Sequence, residues 1–359
     1  MINLAIVGLG KFGRRHVDSA IASGRFGVVR AVVRKTGPAE EFAAARSIAL
    51  STDLAEVLAD PHVDAVSLVT PHSLHVPQII QAAAAGKHVL AEKPFALTKA
   101  DAERAVAACA RTGVVLAVGH DNRFYPAIAE IKRLVDAGAL GTVVHVEANL
   151  SHDSTRKLAR NAPSPISADS GVRSTAVATR AGPQTGPWRF DHAEAPAGSM
   201  AHLGIHRIDS FVQLFGKIDR VFAQSSLDTL HAAWADTLAV SVKFKTGMTG
   251  YVGSSLATPL NSRLQVFGSE GWVESRGPRD FQEYLRTSLR SVSVYRSDGS
   301  FETREFDAVD SVMLNFEAFA DAIEGRARYP VPVDEMIHVP SVLEAITQSL
   351  ATGQPVLVS

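Results

Sequence analysis

The chain has 359 residues, with 36 Lys and Arg against 37 Asp and Glu and a formal net charge of −1. That length favours two domains with sizeable cores, and the charge balance gives no electrostatic footprint for nucleic acid or an anionic membrane surface. No stretch reaches the roughly 18 apolar residues of a membrane span. The N-terminal apolar run ends at Val7 without a basic leader, and the one cysteine, Cys109, excludes an intramolecular disulfide and a Cys-based zinc site, so a cytoplasmic protein is expected.

In chain order, Ile2 to Val7 reads as an apolar strand that runs into Gly8-Leu9-Gly10-Lys11-Phe12-Gly13, a dinucleotide-binding fingerprint. The first glycine permits the tight turn and the second lets backbone N–H groups approach a pyrophosphate. The third lets helix and strand pack closely, with the phosphates on the helix N-terminus. Phe12, Val17, Ala20 and Ile21 then recur at near-helical spacing. Val28 to Val33 reads as the second strand, whose end is where NAD-specific domains carry an acidic residue for the ribose 2′-hydroxyl. Here it runs into Arg34-Lys35-Thr36 with no carboxylate, and two cations suit a 2′-phosphate, so NADP(H) is the preferred cofactor and NAD(H) the second.

Strands and helices keep alternating: a helix over Thr52 to Ala59, a strand over Val63 to Val69, a helix over His75 to Ala85 closed by Gly86, a strand at Val89 to Ala91. Thr98 with Asp101 resembles a capping box for a helix that ends before Gly113, and Val114 to Val118 is a strand again. Nearly continuous apolar strands between helices indicate a buried parallel sheet. Residues 1–122 therefore read as a Rossmann domain with a doubly wound parallel sheet.

From 123 to 359 the pattern changes to an α/β domain for substrate binding and oligomerisation. A helix over Pro126 to Asp136 precedes strands in series (Thr142 to Ala148, Asp219 to Leu227, Asp236 to Lys245, Thr249 to Leu256, Arg263 to Phe267, Ser291 to Tyr295), which implies a largely antiparallel, open-faced sheet. Leu238, Val240, Val242 and Phe244 alternate with Ala239, Ser241, Lys243 and Lys245, so one face is buried and the other polar. A helix around Phe316, Phe319, Ala320 and Ile323 and a last helix near Val339 to Leu350 complete this domain, the last helix being the one that could pack back on the Rossmann domain. Residues 154–187, rich in Ser, Ala, Pro and Gly, read as a long loop.

Glu92-Lys93-Pro94 stands where a buried parallel strand meets the ligand-facing edge of its sheet, and proline extends Lys93 and fixes its direction. Further on, His202, His206 and Asp209 fall at i, i+4 and i+7, one face of a helix if the segment is helical. The spacing lacks the Glu of H-E-x-x-H, so no metal is expected there.

Together, the fingerprint, Thr70-Pro71 followed by His75, Glu92-Lys93-Pro94, Trp188-Arg189 and Gly204-x-His206-x-x-Asp209 resemble the glucose-fructose oxidoreductase / inositol dehydrogenase / rhizopine-catabolism (Gfo/Idh/MocA) family, over essentially the whole chain. The resemblance implies hydride transfer between a nicotinamide and a secondary alcohol of a sugar, polyol, uronate or cyclic diol. It implies Lys93 as the catalytic lysine on the reacting hydroxyl and His206 as proton acceptor. The cofactor set is Gly8, Gly10, Lys11, Phe12, Gly13, Arg34, Lys35, Thr70, Pro71, His75, Glu92 and Lys93; the substrate set is Lys93, Arg123, Trp188, Arg189, His202 and His206. His75 has two readings, a helix cap or a nicotinamide contact. His202 stands where the family commonly has aspartate, which means either substituted chemistry or lost chemistry, and lost chemistry would make the protein an NADP-binding sensor. Family members commonly pair through the open sheet face, so a homodimer or homotetramer is expected. Arg156, Lys157, Arg160, Arg173, Arg180 and Arg189 against Asp169 have two readings, a basic lid over an anionic substrate or a basic loop that only keeps the chain in solution.

Overall fold

Six short parallel strands organise the first of two compact units, residues 1–124 with 310–340, in a computed structural model that describes residues 1–153, 188, 191–226, 235–280, 283–284 and 289–359. The strands are β1 (Ile2–Val7), β2 (Phe26–Val32), β3 (Ala49–Ser51), β4 (Ala65–Leu68), β5 (His88–Ala91) and β6 (Leu116–Val118), ordered β3-β2-β1-β4-β5-β6. The chain reverses direction across the sheet between β1 and β4, so ligands are expected at the carboxyl ends of those strands. Between the strands run α1 (Lys11–Ala22), α2 (Glu40–Ala44), α3 (Leu54–Ala59), α4 (His72–Ala84) and α5 (Lys99–Thr112). Local chemistry sets their ends: Asp53 accepts from Ala55 N, Thr98 Oγ1 accepts from Asp101 N at 3.2 Å, and Gly113 closes α5 at φ 71°.

Two apolar layers cover this sheet. Val57, Ile79, Ala82, Ala102 and Ala105 from α3, α4 and α5 fill one. In the other, Val17 and Ala20 of α1 meet Phe316, Phe319 and Ala320 of α8 (Ser311–Ile323), and Phe26 packs between the two phenylalanines at 5.4 and 5.9 Å. The helix around Phe316 thus belongs to the first unit, which moves the expected 123–359 boundary. An apolar stripe demands a cover without saying which sheet supplies it. Polar contacts confirm its place, since Asn315 Nδ2 donates to Val118 O at 3.0 Å and the Tyr329 hydroxyl accepts from Val118 N at 3.2 Å. On α1, Phe12 and Ile21 are exposed rather than buried, and the inward face is Gly13, His16, Val17, Ser19 and Ala20.

The second unit, residues 125–309 with 341–359, holds a nine-stranded sheet. Its strands are β7 (Val143–Ser151), β8 (Ile218–Ser225), β9 (Thr237–Phe244), β10 (Thr249–Ser255), β11 (Asn261–Gly268), β12 (Gly271–Arg276), β13 (Ser291–Arg296), β14 (Phe301–Glu305) and β15 (Val356–Leu357), ordered β14-β13-β12-β11-β7-β10-β9-β8-β15. Only β7 and β10 pair in parallel among them. Leu238, Val240, Val242 and Phe244 are buried, and Phe211 and Phe215 of α7 (Ile205–Phe215) meet Phe244 at 6.0 and 5.7 Å. The helix α6 (Pro126–Asp136) has the expected bounds. The last helix, α9 (Val333–Thr352), divides between the units at Pro340. No helix among the described residues is long and apolar enough to cross a membrane.

Candidate active site

The glycine loop follows from contacts that a side chain would forbid. A Cβ on Gly8, at φ 103°, would lie 2.6 Å from Val69 O, and one on Gly13 would lie 1.8 Å from Gly8 O. Those two residues are glycine so that the turn and the helix can close on the strands. Gly10 is different: its φ of −69° suits any residue and a Cβ there would meet nothing within 4 Å. What glycine leaves open at position 10 is room beside the N-terminus of α1, which no side chain caps. The positive end of a 12-residue helix and the cleared space together fit a pyrophosphate. Lys11 and Phe12 open the helix and are exposed.

Beyond β2, Arg34 and Lys35 are exposed, and neither forms an ion pair with a described residue. Arg14, which sequence reasoning missed, donates to Pro38 O at 3.0 Å on the turn that follows them, and lies 4.7 Å from the centre of the Phe42 ring.

At the ends of β4 and β5 the predicted residues come together. Thr70 Oγ1 donates to Gln78 Oε1 at 2.7 Å. His75 lies inside α4 rather than at its cap, fully buried, with Nδ1 2.9 Å from Pro94 O and Nε2 3.0 Å from Thr70 O. Its ring ties the Thr70-Pro71 turn to the Lys93-Pro94 turn, whose peptide bond is cis. Glu92 Oε2 accepts from Lys93 N at 3.1 Å, and Glu92 Oε1 accepts from His16 Nε2 at 2.9 Å. Burial pushes the Glu92 carboxyl up, but the His16 hydrogen bond and the charges of His16 and Lys93 outweigh it and hold the group below the usual range. Asp121, just after β6, goes the other way: burial lifts its carboxyl, against a 2.7 Å hydrogen bond from Ser311 Oγ and the charge of Arg15. Arg123 of the same turn is buried and paired with Glu335 at 2.6 Å, which gives it a structural role beside the substrate role expected of it.

The second unit brings Trp188 and His202 together, with ring centres 6.3 Å apart. Here the expected α-helical face gives way. Met200–Gly204 is a π-helical turn and α7 begins only at Ile205, so the turn is wider and the four-residue step from His202 to His206 is not one α-turn. His202 and His206 are half-buried while Asp209 is sealed, so the three do not share an accessible face. Gly198, at φ 54°, precedes the turn where a Cβ would lie 2.0 Å from Ala235 O, and Ser199 Oγ is 2.8 Å from Ser254 Oγ on β10. Arg189 and the basic residues Arg156, Lys157, Arg160, Arg173 and Arg180, with Asp169, lie outside the described residues. No cluster of three metal-ligating side chains occurs among the described ones.

Comparison with known proteins agrees with this fold. Residues 2–120 match a family described as an oxidoreductase family with an NAD-binding Rossmann fold, and residues 128–274 match a GFO/IDH/MocA C-terminal domain. The chain is 28% identical over 300 residues to D-xylose 1-dehydrogenase (NADP(+)) 2 of Haloferax volcanii, covering 84% of this chain and 82% of that one. It is 27% identical to scyllo-inositol 2-dehydrogenase (NAD(+)) of Bacillus subtilis, covering 99% and 96%. Levoglucosan dehydrogenase, solved with NADH and levoglucosan, superposes with a TM-score of 0.81 at 19% identity over 99% of both chains and shares the fold.

Proposed function

The chain belongs to the Gfo/Idh/MocA family of NAD(P)-dependent oxidoreductases, and from that premise we propose that it oxidises a secondary alcohol of a sugar, polyol or cyclic diol, or reduces the corresponding ketone. The observation that carries this reading is Lys93 on a turn fixed by two contacts, Glu92 to its backbone and the buried His75 to Pro94, at the carboxyl edge of the parallel sheet. A nicotinamide, when bound, supplies the hydride acceptor or donor at C4. The protein must do the rest. Oxidation builds a carbonyl, so the hydroxyl proton must leave to a base; the Lys93 ammonium hydrogen-bonds the oxygen and the imidazole of His206 takes the proton. His202, beside Trp188, lines the substrate side and substitutes for the family's usual aspartate. A panel of aldoses, inositols, uronates and cyclic diols, read by nicotinamide absorbance, tests the assignment: turnover of at least one is expected, while nucleotide binding with no turnover would favour the sensor.

Three finer proposals complete the reading. NADP(H) is preferred because Arg34 and Lys35 face solvent without a carboxylate beside them, and tighter NADH than NADPH binding in a fluorescence titration would reject this. The substrate is anionic because of the basic stretch before Trp188, and equal rates on a uronate and its neutral analogue would reject that. A second copy covers the sheet face that carries His145, Phe267, Trp272, Tyr295 and Phe301, a stripe in which Trp272 stacks on Tyr295 at 3.8 Å and Phe301 is 56% exposed. A monomeric mass by light scattering would reject this.

A further inference from the structure

We infer that His16 is a positioning residue for Lys93, holding the Glu92 carboxylate in place so that Glu92 can anchor the Lys93 backbone. The inference rests on the reading of Lys93 as the catalytic lysine. His16 lies on the inward face of α1, three residues beyond the glycine loop, and is 1% exposed. Nothing in the hydride transfer described above uses it. A buried imidazole carries a desolvation cost that an aliphatic residue would avoid, so its nitrogens need polar partners.

Both nitrogens have one. Nε2 meets Glu92 Oε1 at 2.9 Å, and because a carboxylate oxygen only accepts, the proton sits on Nε2. Nδ1 meets Ser67 Oγ of β4 at 2.8 Å, a hydroxyl that can donate or accept as the ring requires. The edge of Phe316 closes the third side at 5.4 Å. One ring thus joins α1, β4 and the end of β5 around the carboxylate that binds Lys93 N.

A second, independent feature points to the same carboxylate. A Cβ at Gly119, after β6, would lie 2.8 Å from Glu92 Oε1, 2.9 Å from Cδ and 3.1 Å from Cα. Glycine at 119 leaves the room that the Glu92 side chain occupies. The ionisable groups acting on this carboxylate are His16 and Lys93, with Asp121 after β6 coupled to both Glu92 and Lys93 by charge. Arg15, the neighbour of His16 on α1, acts on Asp121 and lies 3.7 Å from Asp310. Removing the His16 donor therefore leaves a partly buried carboxylate with one fewer hydrogen bond, and it takes up a proton at higher pH.

The test compares His16→Leu, His16→Gln and Gly119→Ala in the full-length protein labelled with ¹³C-glutamate, with Glu92→Gln to assign the Glu92 resonance. In His16→Leu the Glu92 titration midpoint is expected to rise by about one unit or more, and the acid limb of kcat to move up with it while NADPH affinity stays within about threefold. Gln keeps a donor within reach of Oε1, so His16→Gln is expected to restore both towards wild type. Gly119→Ala crowds the carboxylate with His16 intact, and keeps the question open to measurement if His16→Leu does not fold; its expected result is again a raised midpoint. A midpoint unmoved in both His16→Leu and Gly119→Ala overturns the inference. So does a moved midpoint with an unmoved acid limb. Failure of the underlying reading looks different, because it appears as near wild-type turnover in Lys93→Met whatever Glu92 does.

Discussion

In the first unit the residues assigned to the cofactor are placed by backbone geometry, whereas in the second those assigned to the substrate are placed by side-chain packing around a π-turn. Gly8 and Gly13 are dictated by carbonyl oxygens 2.6 and 1.8 Å from where a Cβ would stand, His75 meets main-chain oxygens of two turns, and Glu92 accepts from the backbone N–H of Lys93. His202 instead sits in a five-residue π-helical turn against one tryptophan ring, with Gly198 and the Ser199 and Ser254 hydroxyls fixing the entry. NAD(+) and NADP(+) share the pyrophosphate and nicotinamide halves, and a backbone-defined cradle suits those common parts. Substrates differ, and a pocket defined by side chains can be altered without disturbing the sheet beneath it.

The largest expected effect sharpens the first half of that comparison. On the proposed role of Lys93 at the reacting oxygen, Lys93→Met should lower turnover by several orders of magnitude and leave cofactor affinity within about tenfold. Steady-state rates and nucleotide titration on the same preparation check both parts.

The glycines separate backbone from ligand. Gly13→Ala drives a Cβ into Gly8 O and should cost at least about 2 kcal/mol of stability, read by denaturant unfolding. Gly10→Ala meets open space, so the stability of the nucleotide-free protein should stay within about 0.5 kcal/mol while cofactor affinity falls. Equal destabilisation by the two would contradict the roles given them.

How much of this was legible in the sequence follows the same division. The Rossmann order could be read because apolar strands, a spaced glycine loop and the Thr98 cap are local signals. The strands β12 and β14 were not anticipated, since Gly271-Trp272-Val273-Glu274 is short and Phe301-Glu302-Thr303-Arg304-Glu305 is mostly polar. The helix around Phe316 was legible as a helix but not as a cover for β1 and β2, because its partner lies nearly three hundred residues away in Phe26. His16 gave a faint signal, a polar residue on the buried side of α1. Its meaning needs β4 and β5 side by side, a long-range fact. The His202–His206 spacing was visible, but the π-turn that changes its geometry left no mark in residue type.

A smaller effect is expected at Asp121. Burial lifts its folded-state carboxyl above the ordinary value, so its contribution to stability is full below the ordinary carboxylate range and is lost as pH rises through the raised value. Asp121→Asn cannot ionise and can still accept from Ser311. It should melt above wild type at about pH 7, with the advantage vanishing near about pH 3, as scanning calorimetry would show.

The central claim is that this chain moves a hydride, and isotope transfer tests it most directly. Wild-type protein given NADPH deuterated at the transferring C4 position, with the ketone form of each substrate in the panel, should place one deuterium on the carbinol carbon of the product, detected by mass spectrometry. Lys93→Met should bind the same nucleotide and transfer none. Wild-type protein that binds NADPH yet transfers no deuterium to any of these ketones would contradict the account and favour a nucleotide sensor.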